Sequence, residues 1–321
     1  MPNKFRKAGF LSFVAAALFS VQSQAAVTFS IVNQDNPGEG FNDPSAPLLP
    51  APGNDTAATL GEQRLNAFQF AADLWAAKLD NVGAGDITVV VNATFAPSSC
   101  SQTSGNLGSA GPTGVAVGFA SAPDPNVRYV RALAKALGAP IGGGADMSAN
   151  FNGDIDRNPN CFGDGSTIST NWYYGLDGVP ESGTIDFLTV VLHEIGHGIG
   201  FLTLVNGSTG ALSGGQVDSF TLNLFDVDAG LAWKDMSNAQ RLASITNTGG
   251  LVWTGSQAAG PGLSEFIGGV RDGRPRIYAP NPRESGSSTS HWDTAASPNT
   301  IMEPFETGDN RVVQTLGVEV C

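Results

Sequence analysis

The 321-residue sequence predicts an α+β fold. Segments 61–79 and 184–201 repeat apolar residues at three- and four-residue spacing, as an amphipathic helix does. Segment 86–95 contains Ile87, Thr88, Val89, Val90 and Val91, a β-branched run suited to a central, buried strand. Stretches rich in Gly, Pro and Asn separate these periodic pieces and mark surface loops.

Taken in order, 26–31 alternates like a first strand, and 35–56 is a surface segment. The 61–79 helix carries Leu65, Phe68, Ala72, Trp75 and Leu79 on one face. Beyond the 86–95 strand, the glycine-rich 105–114 reads as a loop, 115–120 as a short strand and 127–137 as a second helix. In 184–201, Ile185, Leu188, Leu192, Ile195 and Ile199 form the core-facing stripe, while Asp186, Val190, His193 and His197 share another face. Thr184 is the expected N-cap and Gly200 the left-handed stop. Segment 220–225 reads as strand or helix, 237–245 as a helix ended by 247–250, and 268–290 as a Pro- and Gly-rich loop with several arginines.

Residues 1–25 read as a signal peptide: Lys4, Arg6 and Lys7 start it, 10–21 is apolar, and Ser23, Gln24 and Ala25 offer a small-residue cleavage site. The apolar run is too short to span a membrane, and no later run of 18 apolar residues follows. The expected product is therefore a secreted or periplasmic chain, 26–321, forming a single catalytic domain with an upper lobe of about 26–200 and a lower lobe of about 201–321. Losing the three basic residues takes the formal charge from −13 to −16, which argues against a nucleic acid partner, whose phosphates would be repelled. Three cysteines in an exported chain imply one disulfide. Cys100 and Cys161 are the expected pair, both in Ser-, Gly- and Asn-rich loops, with Cys321 left at the terminus. The Asp- and Asn-rich loops 35–39 and 152–156 carry oxygen donors that Ca2+ could take, but neither follows the EF-hand pattern, and turn chemistry is the preferred reading.

The stretch 193–201 reads H-E-I-G-H-G-I-G-F and contains H-E-x-x-H. On a helix, His193 and His197 lie four apart on one face and can aim imidazole nitrogens at one ion, with Glu194 beside it. A zinc ion with three protein ligands keeps a position for water and brings that water's pKa to about 7, and a neighbouring carboxylate can accept the proton. Two histidines leave the third ligand open. The chain has one more, His291, while Asp218, Asp226 and Asp228 follow the helix at distances where thermolysin-like enzymes place an acidic ligand.

The motif resembles that of the metzincin peptidases, H-E-x-x-H-x-x-G-x-x-H, through its first eight positions; Thr203 stands where the third histidine would be. The leishmanolysin-like branch separates the glycine from that histidine by an insertion. His291-Trp292-Asp293 and Ile301-Met302-Glu303-Pro304 look like its late histidine and methionine turn, in the right order. The resemblance implies a zincin-like fold: a twisted mixed five-stranded sheet, an active-site helix and an irregular lower lobe, with 146–152 as the antiparallel edge strand along the cleft. It implies zinc bound by His193, His197 and His291, Glu194 as general base, Met302 as an apolar floor beneath the metal, and a protein or peptide substrate. The competing expectations are a thermolysin-like peptidase with an aspartate ligand, and an inactive surface or matrix binding protein on the same scaffold.

Overall fold

In a computed structural model describing residues 26–79, 85–166, 170–256 and 268–306, the alternating segments build a four-stranded mixed sheet. Residues 1–25 and Cys321 lie outside those described, and with them the expected signal peptide. The strand β1 (Val27–Asn33) runs parallel to β2 (Ile87–Ala96), with Val27 opposite Ile87. The glycine-rich 105–114 is not a loop: Gly108–Pro112 forms β3. Val115–Ala116 (β4) pairs antiparallel with Tyr129–Val130 (β5), and Met147–Asn152 forms β6. The sheet order is β1-β2-β6-β3, with β2 and β6 parallel and β3 antiparallel to β6.

The sheet thus corrects two expectations. It has four strands among the described residues rather than five, and 146–152 is an interior strand whose place at the antiparallel edge belongs to β3. Glycines carry no alternating side-chain signal, so the edge strand is invisible to periodicity, whereas β6 buries Met147, Ala149 and Phe151 on one face as an interior strand should.

Helix α1 (Leu60–Ala76) starts where the Thr59 side chain accepts from the Glu62 N–H. It lays Phe68, Ala71, Ala72 and Trp75 on the inner face of the sheet. The expected 127–137 helix is shorter, Arg131–Ala136 (α2), because its first turn is spent as β5. The parallel pair β7 (Asn171–Tyr173) and β8 (Thr184–Asp186) leads directly into α3 (Phe187–Ile199). Phe187 packs edge-on against Phe151 at 5.0 Å and Trp172 at 5.3 Å, seating the start of α3 on the sheet. The cap is Asp186, not Thr184: Thr184 belongs to the strand, and the Asp186 carboxylate accepts from the Thr189 N–H and hydroxyl.

Beyond α3 the chain has more order than an irregular lobe. Segment 220–225 is a 3-10 turn, Thr221–Asn223, followed by β9 (Leu224–Asp226), which pairs with β10 (Leu231–Ala232) and β11 (Leu251–Trp253). Helix α4 (Asn238–Ser244) carries a reciprocal cap between Ser237 and Gln240. After the hairpin β12 (Val270–Arg271) and β13 (Arg274–Pro275), antiparallel bridges Val252 to Arg276 and Ile277 to Trp292 extend this ladder to the segment holding His291. The Cys100–Cys161 disulfide is present. No helix among the described residues is long and apolar enough to cross a membrane.

Asp186 is buried, and loss of hydration pushes its carboxyl up to about 6 despite the Thr189 hydrogen bonds that oppose the shift. Its Oδ1 has no hydrogen-bond partner among the described residues. A raised folded pKa means that the folded state holds the proton more tightly. This contribution is therefore full below about pH 4 and is lost as pH rises towards 6, by about 2–3 kcal/mol. Asp186→Asn keeps an acceptor for the cap, so its unfolding free energy relative to wild type should rise by that amount between pH 4 and 6.5. A pH-independent difference in urea titrations would reject this account.

Candidate metal centre

Helix α3 sets two of the three histidines by simple geometry. His193 and His197, four residues apart, face the same way, and their Nε2 atoms lie 3.0 Å from one another. His291 enters from the far end of the lower ladder, its main chain held by Tyr278 N–H to His291 O at 2.9 Å. Its Nε2 stands 3.1 Å from that of His197 and 3.2 Å from that of His193. The sequence separation of 94 and 98 residues is thereby closed to an almost equilateral triangle of nitrogens.

The opposite nitrogen of each ring faces a main-chain carbonyl. His193 Nδ1 lies 2.7 Å from Ile301 O, His197 Nδ1 2.8 Å from Phe201 O, and His291 Nδ1 2.7 Å from Ser287 O. A carbonyl oxygen can only accept, so each Nδ1 must be the N–H donor. In a neutral ring the lone pair then sits on Nε2. Loss of hydration lowers the pKa of all three rings: His193 falls, His197 falls to about 3, and His291 falls well below its usual value, with mutual repulsion adding to the last two. Three lone pairs therefore point into one space with no proton to share, an arrangement that a cation relieves.

The spacing fits such an ion. Bonds of about 2.0–2.1 Å from a tetrahedral zinc to imidazole nitrogens would put those nitrogens about 3.3–3.4 Å apart, within a few tenths of an ångström of the observed triangle. Among the described residues, these three side chains form the group with metal-binding spacing. The carboxylates that sequence offered as alternatives are committed elsewhere. Asp218 accepts from Thr221 and from the Leu204 N–H, Asp226 from Ser244, Asn247 and the Ala229 N–H, and Asp228 pairs with Arg271. The Ca2+ expectation gains nothing: Asp35 accepts from the Phe41 and Phe95 N–H groups, and Asp156 pairs with Arg64 at 2.8 Å.

Glycine at the end of α3 explains how the His197 support is made. Gly200 adopts φ +133°, and the chain reverses so that Phe201 N–H returns to Gly196 O at 2.9 Å and Gly200 N–H to His197 O at 3.2 Å, the paired bonds of a Schellman turn. That reversal delivers the Phe201 carbonyl to His197 Nδ1. The Phe201 ring meets Trp292 at 5.0 Å and Phe220 at 5.1 Å, joining the helix exit to the segment of the third histidine. Thr203, in the metzincin third-histidine position, donates its N–H to Ser290 Oγ at 3.2 Å and so braces the residue before His291.

Met302 is fully buried against α3, and a Cβ on Gly196 would stand 2.5 Å from its sulfur. Its carbonyl accepts from the Trp292 N–H at 2.9 Å, and its neighbour Ile301 supports His193, so this turn ties two ligands together. Glu194 is 5 % exposed, beside the triad in sequence and against β3 in space. Burial pushes its carboxyl up to about 8, opposed by a hydrogen bond from the Ala110 main chain; a dication nearby would also pull it down. Its Oε2 is buried without a partner among the described residues. Sequence reading missed Gly108 and Ala110, which carry no side-chain signal, and the carbonyls of Phe201, Ser287 and Ile301, which no residue type encodes.

The chain matches no protein-family model, no curated protein and no solved structure.

A divalent transition metal added to metal-free protein should raise its unfolding midpoint, the gain reaching about 4 kcal/mol at a thousandfold excess over Kd. His291→Ala should abolish the gain. An equal gain in that variant, followed by thermal melts with and without metal, would place the ion somewhere else.

Proposed function

We propose that the protein is an exported zinc endopeptidase of the metzincin type. The observation carrying this reading is the meeting of three carbonyl-supported imidazoles, with the buried Glu194 next to His193 in the chain. Three imidazoles suit several transition ions; the H-E-x-x-H arrangement with its adjacent glutamate favours zinc and hydrolysis. A zinc ion held there would polarise a scissile carbonyl and acidify a water.

The protein's own part begins with Glu194. It takes a proton from the attacking water and delivers it to the leaving nitrogen as the C–N bond breaks, so the carboxylate is regenerated. The edge strand supplies a template for extended peptide. Asn152 N–H donates to Leu107 O and Thr113 N–H to Asp146 O, so odd-numbered residues of β3 bond to β6 and even-numbered ones turn outward. The carbonyls of Gly108 and Ala110 are thus positioned to accept from a substrate main chain, which reads backbone more than side chains. Pro112, also outward, has no N–H to offer and limits the length of pairing. A scaffold without activity would give no reason for a carboxylate held in burial.

Elemental analysis of purified protein should find one zinc per chain, lost in His291→Ala. Glu194→Gln should keep that zinc and lose at least about a hundredfold in peptide hydrolysis; turnover near wild type would reject the mechanism. Export predicts that the mature chain begins at Ala26, where a freed amine would lie 2.8 Å from Asp86 Oδ1. Mass spectrometry of the secreted protein would read the first residue, and an unprocessed Met1 would contradict export by this signal.

A further inference from the structure

Gly108, in β3, faces Glu194. A Cβ built on Gly108 would stand 3.0 Å from Glu194 Oε1, 3.2 Å from Glu194 Cγ and 3.2 Å from the Phe151 ring. Two of those three contacts belong to Glu194, and the third is a fully buried ring with little room to retreat. Two residues on, Ala110 also turns its main-chain groups outward from β6. The carboxylate therefore lies against bare backbone at Gly108. Gly111, on the same strand, has nothing within 4 Å of its absent Cβ, so small residues along β3 are not all demanded by packing.

We infer that Gly108 is a positioning residue for Glu194, its missing side chain leaving the space in which the carboxylate must lie. This deepens the peptidase reading and rests on it for the role of Glu194. The contact itself stands on geometry. The strand that would pair with substrate would then also set the base that acts on it. A glutamate freed from this contact would have its two rotatable terminal bonds to explore, and the fraction of time spent in the reactive orientation would fall.

Two measurements decide it. The first needs no activity: urea midpoints of wild type, Gly108→Ala, Glu194→Ala and the double variant. Glu194→Ala removes Cγ and both oxygens, leaving Phe151 as the remaining close contact. The loss of midpoint caused by Gly108→Ala should therefore shrink by at least half in that background, the coupling expected of groups in contact. The second is kinetic, on zinc-loaded protein with a peptide substrate. Gly108→Ala should lower kcat at least tenfold with KM and zinc content within twofold of wild type, while Gly143→Ala, outside the edge strand and with open space at its absent Cβ, stays within twofold in kcat. The same midpoint loss in both backgrounds would overturn the inference, as would an unchanged kcat in Gly108→Ala. A wild type with no peptidase activity would defeat the proposed function, and the midpoint comparison would still decide the contact.

Discussion

Three neutral imidazoles crowded to 3.0–3.2 Å, each with its lone pair turned inward, repel one another, and the rest of the structure is arranged to hold them there. Desolvation forbids the usual escape, protonation, because a charged ring would lose more hydration than it gained. The histidines cannot turn their N–H groups inward either, since each Nδ1 is engaged by a carbonyl. What opposes the repulsion is packing: α3 seated on Phe151 and Trp172, the aromatic group of Phe201, Phe220, Trp253 and Trp292, and the buried methionine turn. Without an ion this is strain stored against a core. With one, it is preorganisation, the ligands needing no rearrangement to bind.

The centre draws on both parts of the chain. Helix α3 contributes its ligands from above a sheet whose inner face is Val89, Val91, Ala93, Phe95, Met147 and Phe151. The third histidine hangs from the ladder of β9, β10 and β11 extended by isolated bridges. Gly200 and Phe201 lie at the junction. A positive φ that most residues resist turns the chain there, and the ring that follows inserts among the aromatics of the lower part. The helix end thus acts as the hinge pin between the two ligand sources.

How much of this the sequence disclosed depends on whether a feature is written in side chains. His193 and His197 were legible because two imidazoles four apart share one face of a helix, and His291 through the resemblance carried by its His-Trp-Asp context; the fold brings the three together. The pairing of Cys100 with Cys161 and the helices around Trp75 and Leu192 were legible for the same reason, through loop composition and apolar period. The edge strand was not. Gly108, Ala110 and Gly111 have too little side chain to show alternation, so β3 read as a loop and β6 was assigned its place. Thr184 was mistaken for the cap since Thr and Asp both suit that position; Asp186 won because β8 pairs with β7 through Thr184 first. The aspartate alternatives at 218, 226 and 228 could be set aside only once their own partners in the lower part were visible.

Among the described residues, main-chain oxygens support the Nδ1 atoms of the three rings, and that has a consequence for what mutation can reach. In centres where a carboxylate side chain orients a ligating histidine, one substitution removes the support and a negative charge with it. Here Phe201, Ser287 and Ile301 contribute atoms that every amino acid possesses. Replacing those side chains leaves the carbonyls in place and alters the supports only through packing and the path of the backbone. The inner ligand set also carries no charge of its own. A divalent ion bound there would keep most of its positive field for whatever approaches, with Glu194 as the near counter-charge. Such a centre is inherited as a chain trajectory, and substitutions that bend the trajectory at Gly200 or in the turn before Met302 would disturb it more than many changes nearer the ion.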